Sequence, residues 1–217
     1  MSASPGSVPT ELRVYLRVEN LQRQFAAYLG TPTRARGYPP TEGQHSLIIE
    51  VAPGLAIERA TDLACKAVPE IEVGILFVER QFGVLELHDS DPTRLDTAGH
   101  AVLDGLGVGA GDQLAPRILY SDVIEAVSDQ HAVIINRNRE ASMVLPGESL
   151  LVYELTPALF ASVAANEAEK AAPGATLVTV SMIGAAGRLY LSGTTQDVLA
   201  AREAITTVLT GIEGRHS

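Results

Sequence analysis

The sequence predicts an α+β fold built from two similar domains in tandem. An internal repeat, a core-forming composition and a recurring order of strands and helices support this prediction. Residues 46–107 align without a gap with residues 150–211, at a shift of 104 residues. Of the 61 positions from Leu47 to Gly107, 14 are identical in the second copy. Solenoid repeats are about 20 to 50 residues long, so each of these longer copies is expected to carry its own hydrophobic core.

The composition fits two globular domains and excludes several classes of function. Apolar residues make up 46% of the 217 residues, which is enough for a core in each half. The net charge of −10 argues against a nucleic-acid or anionic-membrane partner, because neutralising phosphates requires clustered Lys and Arg. Cys65 alone cannot form an internal disulfide, and no stretch resembles a signal peptide or a membrane span. We therefore expect a cytosolic protein.

Each copy contains a strand, a helix, a hairpin and a second helix, as judged from apolar periodicity and from Pro, Gly and Asp at the boundaries. In the first copy these elements are predicted at 46–51, 53–68, 71–78 with 84–87, and from the Asp91 cap to glycines 105 and 107. In the second copy they are predicted at 150–155, 157–172, 177–183 with 189–191, and from a cap at Thr194 or Thr195 to glycine 211. A divergent segment precedes each copy. It is predicted as a strand at 12–18 and a helix at 21–29, and then as a strand at 117–120, a helix at 123–129 and a strand at 132–136.

Short motifs at the same place in both copies resemble one known family. The first helix ends in Lys66-Ala67-Val68-Pro69 and, in the second copy, in Lys170-Ala171-Ala172-Pro173. Glycine-containing hairpin turns follow at residues 79–83 and 183–187. With the order of elements, these motifs resemble the bacterial microcompartment shell proteins. The extra strand before each copy is similar to that of the tandem, circularly permuted members, and the resemblance covers residues 11–212.

The resemblance implies a structural protein rather than an enzyme. It implies two shell-protein domains, at residues 11–108 and 112–213, behind a flexible N-terminal tail at residues 1–10. The expected assembly is a homotrimer, a pseudohexameric tile with a central pore, which packs with other shell proteins around a cytoplasmic microcompartment. Two trimers stack face to face in some members of the family. Small metabolites, whether substrates, products or cofactors, are expected to pass through the pore, and no bound cofactor or metal is expected.

The hairpin turns are the pore-lining segments that the resemblance implies. Glu79 and Arg80 match a charged pair that swings between open and closed arrangements in the family, whereas the second copy has Ile183 and Gly184 there. A Glu–Arg pair at about 4 Å is worth roughly 1 kcal/mol in water, so such a turn is poised between two arrangements. An ordinary solvated turn pair is the alternative. The full predicted set, whose small members leave room for an aperture, is Glu79, Arg80, Gln81, Phe82, Gly83, Ile183, Gly184, Ala185, Ala186 and Gly187.

Lys66 and Lys170 are identical at the same point of both copies. The resemblance implies that they lie at the tile edge and donate to backbone carbonyls of the neighbouring tile. The alternative is that each lysine only complements the dipole at a helix C-terminus, which is worth about 0.3 to 1 kcal/mol.

Other apparent motifs do not predict a site. The glycines at 105, 107, 109 and 111 follow a helix, whereas a phosphate-binding loop follows a strand, so they are interpreted as an interdomain linker. His88 with Asp89 and Asp91 is a possible metal or acid/base group. However, Asp91 is explained as a helix cap, and the second copy lacks these residues. No metal site and no catalytic residue are therefore predicted.

Two other functions remain open at this point. One is a regulatory protein in which duplicated ferredoxin-like domains bind a small molecule. The other is an enzyme of the dimeric α+β barrel type, in which His88 or His100 supplies the chemistry. Assembly separates them, because a shell tile forms hexagonal sheets or discs and a sensor forms discrete dimers with a tight ligand.

Overall fold

The computed structural model describes residues 9–31, 37–139 and 141–216, and for Glu79 the backbone alone. Apart from Pro9 and Thr10, the predicted N-terminal tail lies outside the described residues. Within the described ranges, no helix has the length and apolarity needed to cross a membrane.

The first copy is an antiparallel sheet with helices, which confirms the predicted fold class. Its elements are β1 (Glu11–Val18), α1 (Arg23–Leu29), β2 (His45–Ala52), α2 (Ala56–Ala67), β3 (Glu72–Glu79), β4 (Phe82–Asp89) and α3 (Pro92–Leu106). The strands form one sheet in the order β1-β2-β4-β3. The divergent segment before the first repeat therefore supplies the edge strand β1.

The second copy has the same topology. Its elements are β5 (Arg117–Ile124), α4 (Asp129–Asn138), β6 (Ser149–Thr156), α5 (Ala161–Ala171), β7 (Thr176–Ser181), β8 (Gly187–Gly193) and α6 (Thr195–Gly211). The strands pair antiparallel in the order β5-β6-β8-β7. Short 3-10 turns at Ala110–Asp112 and Ala158–Phe160 precede β5 and α5.

The segment between β5 and β6 differs from the prediction. The strand predicted at residues 132–136 is wrong, because these residues lie in α4. The helix predicted at 123–129 is wrong as well. Residues 123 and 124 belong to β5, and of the predicted helix only residue 129 lies in α4. Ser128 sets this boundary, since its hydroxyl accepts a hydrogen bond from the His131 backbone N–H and caps α4. Only Ala132 of α4 is buried, so the strand-like apolar run lies on an exposed helix surface.

The single shift of 104 residues holds for only part of the repeat. It relates β2 and β4 to β6 and β8, whose registers agree. In the last helix the shift is 103 residues, because the N-cap residues Asp91 and Thr194 correspond. The gapless alignment is therefore wrong in α3 and α6. Its identical pair Leu95 and Leu199 is not equivalent, since Leu95 is buried and Leu199 is exposed.

The first sheet lies between two layers of helices. One face, which includes Leu85 and Leu87, packs on α2 and α3 of the same copy. The opposite face, which includes Ile48 and Val84, shares one hydrophobic cluster with the start of α5. The two copies are therefore joined by a common core, in which the second copy covers the outer face of the first sheet.

The end of the chain is tied to the linker and to β1, a feature that the sequence patterns did not predict. The backbone N–H of Arg215 donates to the Gln113 carbonyl at 2.8 Å, and Ala115 donates to the Arg215 carbonyl at 2.9 Å. The Arg215 guanidinium also bonds to the Glu11 carboxylate at the start of β1. Three segments that are distant in the sequence are thereby held side by side.

Candidate pore-lining site

The two hairpin turns line one cavity of about 590 Å³. The first turn contributes Arg80, Gln81 and Phe82, and the second contributes Ile183, Gly184, Ala185 and Ala186. Ser181, Arg13 and Arg188 complete the lining. The predicted turn residues of both copies therefore meet within a single chain.

The first turn is tighter than predicted. β3 extends through Glu79 and β4 begins at Phe82, so Arg80 and Gln81 alone make the connection. Arg80 has a φ of 54°, which residues other than glycine seldom adopt. Its side chain is exposed beside the cavity. The Glu79 side chain lies outside the described residues, so the charged pair stays a prediction.

Arg13 of β1 connects the first turn to a buried carboxylate. Its guanidinium carbon lies 3.9 Å from the centre of the Phe82 ring, within cation–π range. The same side chain forms an ion pair with Glu50, with 2.8 Å between Nε and Oε1. Burial raises the pKa of the Glu50 carboxyl, and the hydrogen bond and charge of Arg13 offset part of this rise. Arg13 therefore supports both the carboxylate and the ring that ends the turn.

The second turn is small and uncharged. β7 ends at Ser181 and β8 begins at Gly187, and between them Gly184 has a φ of 126°, a conformation that favours glycine. Beside this turn, the Arg188 Nε donates to the Glu154 carboxylate at 2.8 Å. Each copy thus contributes to the cavity lining an arginine that pairs with a repeated glutamate, but the turns themselves differ in charge and size.

Two predicted pore residues have a different position. Gly83 and Gly187 are buried in β4 and β8 rather than in the turns. A Cβ on Gly83 would lie 2.1 Å from the Gly54 carbonyl oxygen, and one on Gly187 would lie 2.4 Å from the Ala158 oxygen. These glycines allow the backbone before α2 and α5 to pack on the sheet. Their predicted place in the turns is therefore corrected, and their contribution to an aperture stays a prediction.

Comparisons with known proteins identify the family. The family model described as the CsoS1D N-terminal domain matches residues 12–112. The carboxysome shell protein CcmP of Synechococcus elongatus is 42% identical over 205 residues, which cover 94% of each chain. The carboxysome shell protein CsoS1D of Hydrogenovibrio crunogenus is 40% identical over 200 residues, covering 92% of this chain and 96% of that protein. The chain belongs to the tandem-domain shell proteins of bacterial microcompartments.

Two solved structures of such shell proteins have the same fold. The double ringed trimeric shell protein MSM0271 from the RMM microcompartment has a TM-score of 0.92 and 63% sequence identity, covering 96% of this chain and all of that one. The fused permuted hexameric shell protein MSM0275 from the same kind of microcompartment has a TM-score of 0.89 and 47% identity, over 94% and 99% of the two chains. The resemblance seen in the sequence is therefore confirmed over nearly the whole chain.

The two lysines of this shell-protein chain lie in the last turns of α2 and α5, as predicted. Lys66 Nζ lies 2.6 Å from the Asp62 carboxylate, and its side chain is mostly exposed. Lys170 Nζ lies 2.7 Å from the Glu167 carboxylate and is partly buried. Both positions fit the helix-dipole alternative as well as a tile-edge role, which stays a prediction.

His88 is buried beside Glu86 and contacts the half-exposed Glu72. Its Nδ1 is 3.2 Å from Glu86, its Nε2 is 3.2 Å from Glu72, and the Ser46 hydroxyl donates to Glu86 at 2.6 Å. Burial acts to lower the pKa of His88, but Glu86 and then Glu72 outweigh it, so the pKa lies above its ordinary value. The described residues contain no group of three or more His, Cys, Asp or Glu that would hold a metal.

The acidic residues next in sequence do not join this cluster. Asp91 caps α3 by accepting a hydrogen bond from the Thr93 backbone N–H at 2.9 Å, as predicted. Asp89 instead pairs with Arg94, with 3.3 Å between the charged groups. The structure therefore separates the residues that the sequence could group with His88.

Sequence analysis missed the two arginines and two glutamates beside the turns. Glu50 and Glu154 are identical in the two copies, although each lies in an otherwise apolar strand. A buried carboxylate requires a partner, so this repeated identity was a usable signal. Arg13 and Arg188 were not recognisable as the partners of these glutamates. Arg13 lies in β1 and Arg188 in β8, so the repeat does not align one with the other.

Proposed function

We propose that this chain is a structural tile of a microcompartment shell, a homotrimer in which six similar domains surround a central pore. The observation that supports this proposal most directly is the shared cavity, since turns from both copies line it. A ring of three such chains brings three charged and three small turns to one axis. The identity of 63% to a protein described as a double ringed trimeric shell protein supports the same assembly.

The pore serves the passage of metabolites across the shell, whether substrates, products or cofactors. The turns alternate in character around the ring, because Arg80 of the first turn corresponds to Gly184 of the second. Only three of the six turns then carry charges that can pair across the axis or turn into solvent. A pair at about 4 Å is worth roughly 4 kcal/mol at an intermediate dielectric, which is comparable with the gap between two conformations. We propose Glu79 and Arg80 as this gate.

The remaining contacts of the tile are with other shell proteins. Lys66 and Lys170 are proposed to lie along the edges at which neighbouring tiles meet, and trimers are proposed to stack in pairs as the description of MSM0271 suggests. No catalytic step is assigned to the chain, since its relatives are structural shell proteins.

Mass measurement and electron microscopy test the proposal together. Sedimentation equilibrium of the purified chain should give three times the chain mass of 22.9 kDa, or six times if trimers stack. Negative-stain images at high protein concentration should contain discs or hexagonal sheets with a stain-filled centre. Discrete dimers with a tightly bound small molecule would instead favour the regulatory alternative.

A further inference from the structure

The joint between the two copies inside one chain buries an apolar contact. Leu159, in the 3-10 turn before α5, and Val14, on the outer face of β1, belong to one hydrophobic cluster. The 3-10 turn and β1 are in contact, and both side chains have a relative exposure of 0%. The helix start of the second copy thus seals the outer face of the first sheet.

Each residue of this pair has a counterpart in the other copy, and both counterparts are exposed to solvent. Leu55 is the counterpart of Leu159 at the shift of 104 residues, and its exposure is 74%. Tyr120 is the counterpart of Val14, because the two hold the same register opposite Glu154 and Glu50, and its exposure is 54%. Burying large apolar side chains is favourable by about 1.5 to 3 kcal/mol each. The chain therefore exposes both sides of a second contact of this kind, which a single chain does not form.

A polar contact fixes the geometry of the internal joint. The side chain of Gln24 in α1 accepts a hydrogen bond from the Leu177 backbone N–H at 2.8 Å and donates to the Ala175 carbonyl at 3.0 Å. Through these two bonds α1 is attached to the start of β7. Asn166 and Glu169 of α5 accept further bonds from the backbone at the start of α1.

The same glutamine recurs on the open surface. Leu21 and Val127 occupy equivalent positions, because each exchanges backbone hydrogen bonds with the residues just before the next strand. In this segment the two copies are therefore related by a shift of 106 residues. Ala26 and Ala132, both buried, obey the same shift. At this shift Gln24 corresponds to Gln130, which is exposed near the start of α4.

The complementary backbone is also present. At the shift of 104 residues, Ala175 and Leu177 correspond to Ile71 and Val73, at the start of β3. The backbone at the start of β3 and of β7 is arranged alike. The Val73 carbonyl accepts a hydrogen bond from the Tyr38 N–H, and the Leu177 carbonyl accepts one from the Ser142 N–H.

α1 and α4 obtain their N-terminal caps in different ways. α1 has no side-chain cap of its own and receives the Glu169 carboxylate from α5. α4 is capped by its own Ser128, and the counterpart of Glu169 is the uncharged Cys65. α4 therefore has a side-chain cap of its own before any partner binds, whereas α1 receives its cap from α5 of the same chain.

We infer that α4 and the outer face of the second sheet bind α2 and the start of β3 in a second copy of this chain, by the geometry of the internal joint. In this contact the Gln130 side chain bonds to the backbone of Ile71 and Val73 of the partner subunit, and Tyr120 packs against the partner's Leu55. The contact is head to tail, so it forms a closed ring only when the last chain meets the first. The inference rests on the proposed tile, to which it assigns the residues of the subunit joint.

Matched variants in the full chain test the inference. Gln130→Ala should raise the subunit dissociation constant about tenfold, because two hydrogen bonds are lost, and should leave the unfolding of dissociated chains unchanged. Leu55→Asp should dissociate the ring at micromolar concentrations, because it places a charge in an apolar contact. Gln24→Ala is the control, since it should lower thermal stability and leave the dissociation constant unchanged. Sedimentation velocity and thermal unfolding monitored by circular dichroism measure both quantities.

The outcomes separate the inference from the proposed function. A wild-type trimer that Gln130→Ala and Leu55→Asp leave intact overturns the inference, while the tile stands. A wild-type chain that is monomeric throughout the concentration range overturns both. A Leu55→Asp chain that is dissociated and keeps its native circular dichroism supports the inference, because the mostly exposed side chain then acts only in association.

Discussion

The Arg13 guanidinium stacks over the Phe82 ring, 3.9 Å from its centre, and joins the first strand of the chain to the residue that ends the charged turn. Because Arg13 also pairs with the buried Glu50, one side chain holds the turn and neutralises a carboxylate in the sheet. The proposed gate residues Glu79 and Arg80 therefore lie next to a fixed support at Phe82, the first residue of β4.

Arg13→Ala should lower the free energy of unfolding by about 1.5 to 3 kcal/mol, because it leaves the buried Glu50 without its charge-assisted hydrogen bond. Chemical denaturation measures this loss. Adding Glu50→Gln should recover part of it, since the amide is cheaper to bury unpaired than a charge. Arg188→Ala is the matched control: its pair with Glu154 is more exposed, so a cost of about 0 to 1 kcal/mol is expected. Equal losses in both single variants would contradict the special role of Arg13.

Gly83→Ala should destabilise the fold by about 1 to 3 kcal/mol or prevent folding, because the new methyl group would collide with the Gly54 carbonyl oxygen. Gly111→Ala is the control, since nothing lies within 4 Å of its added Cβ. Differential scanning calorimetry should give a lower midpoint for the first variant and an unchanged one for the second. If Gly83→Ala melts like the wild type and alters only pore properties, the packing role is wrong.

The stability of the fold should fall as pH rises above neutrality. The pKa of His88 is raised in the folded state by Glu86 and Glu72, so the charged imidazolium stabilises the fold fully below its unfolded pKa of about 6.5. This contribution is lost as the pH rises through the higher folded pKa. Urea denaturation at a series of pH values should reveal the decline, and His88→Gln should flatten it. A wild-type profile that rises over this interval would exclude the assignment.

Replacing Glu79 and Arg80 together by alanine should leave the trimer intact and change the distribution of pore apertures. The turn lies outside the cores of both sheets, so little stability is at stake. Cryo-electron microscopy of the assembled tile, with classification of the central density, measures the apertures in both proteins. A double variant that unfolds, or that stays monomeric, would show that these residues serve folding or assembly and not gating.

The fold class and most elements were predictable because the repeat doubles each signal. The hairpins and the Asp91 cap occur where apolar periodicity and turn residues agree. The α4 region was not predictable in this way, because Val133 and Ile134 are exposed on a helix. An apolar run on an exposed helix surface has the same sequence pattern as a buried strand.

The candidate site was predictable in its turns and not in its supports. Arg80 and Gly184 could be located because they lie between strands of the repeat. Gly83 and Gly187 were misplaced because sequence alone does not tell a turn glycine from one that lets two backbone segments approach. The pair of Arg13 and Glu50 depends on the register between β1 and β2, including a bulge after Leu12, which no local pattern encodes.

Because Arg215 bonds to Glu11 and to the linker, the beginning of the first strand and the last residues of the second copy are neighbours in space. A short peptide bridging them would close the polypeptide into a circle without moving either sheet. Opening the circle at a surface loop would then give new termini and a chain with the same fold and a different order of elements. The permuted order is in this sense one of several orders that are compatible with the same fold.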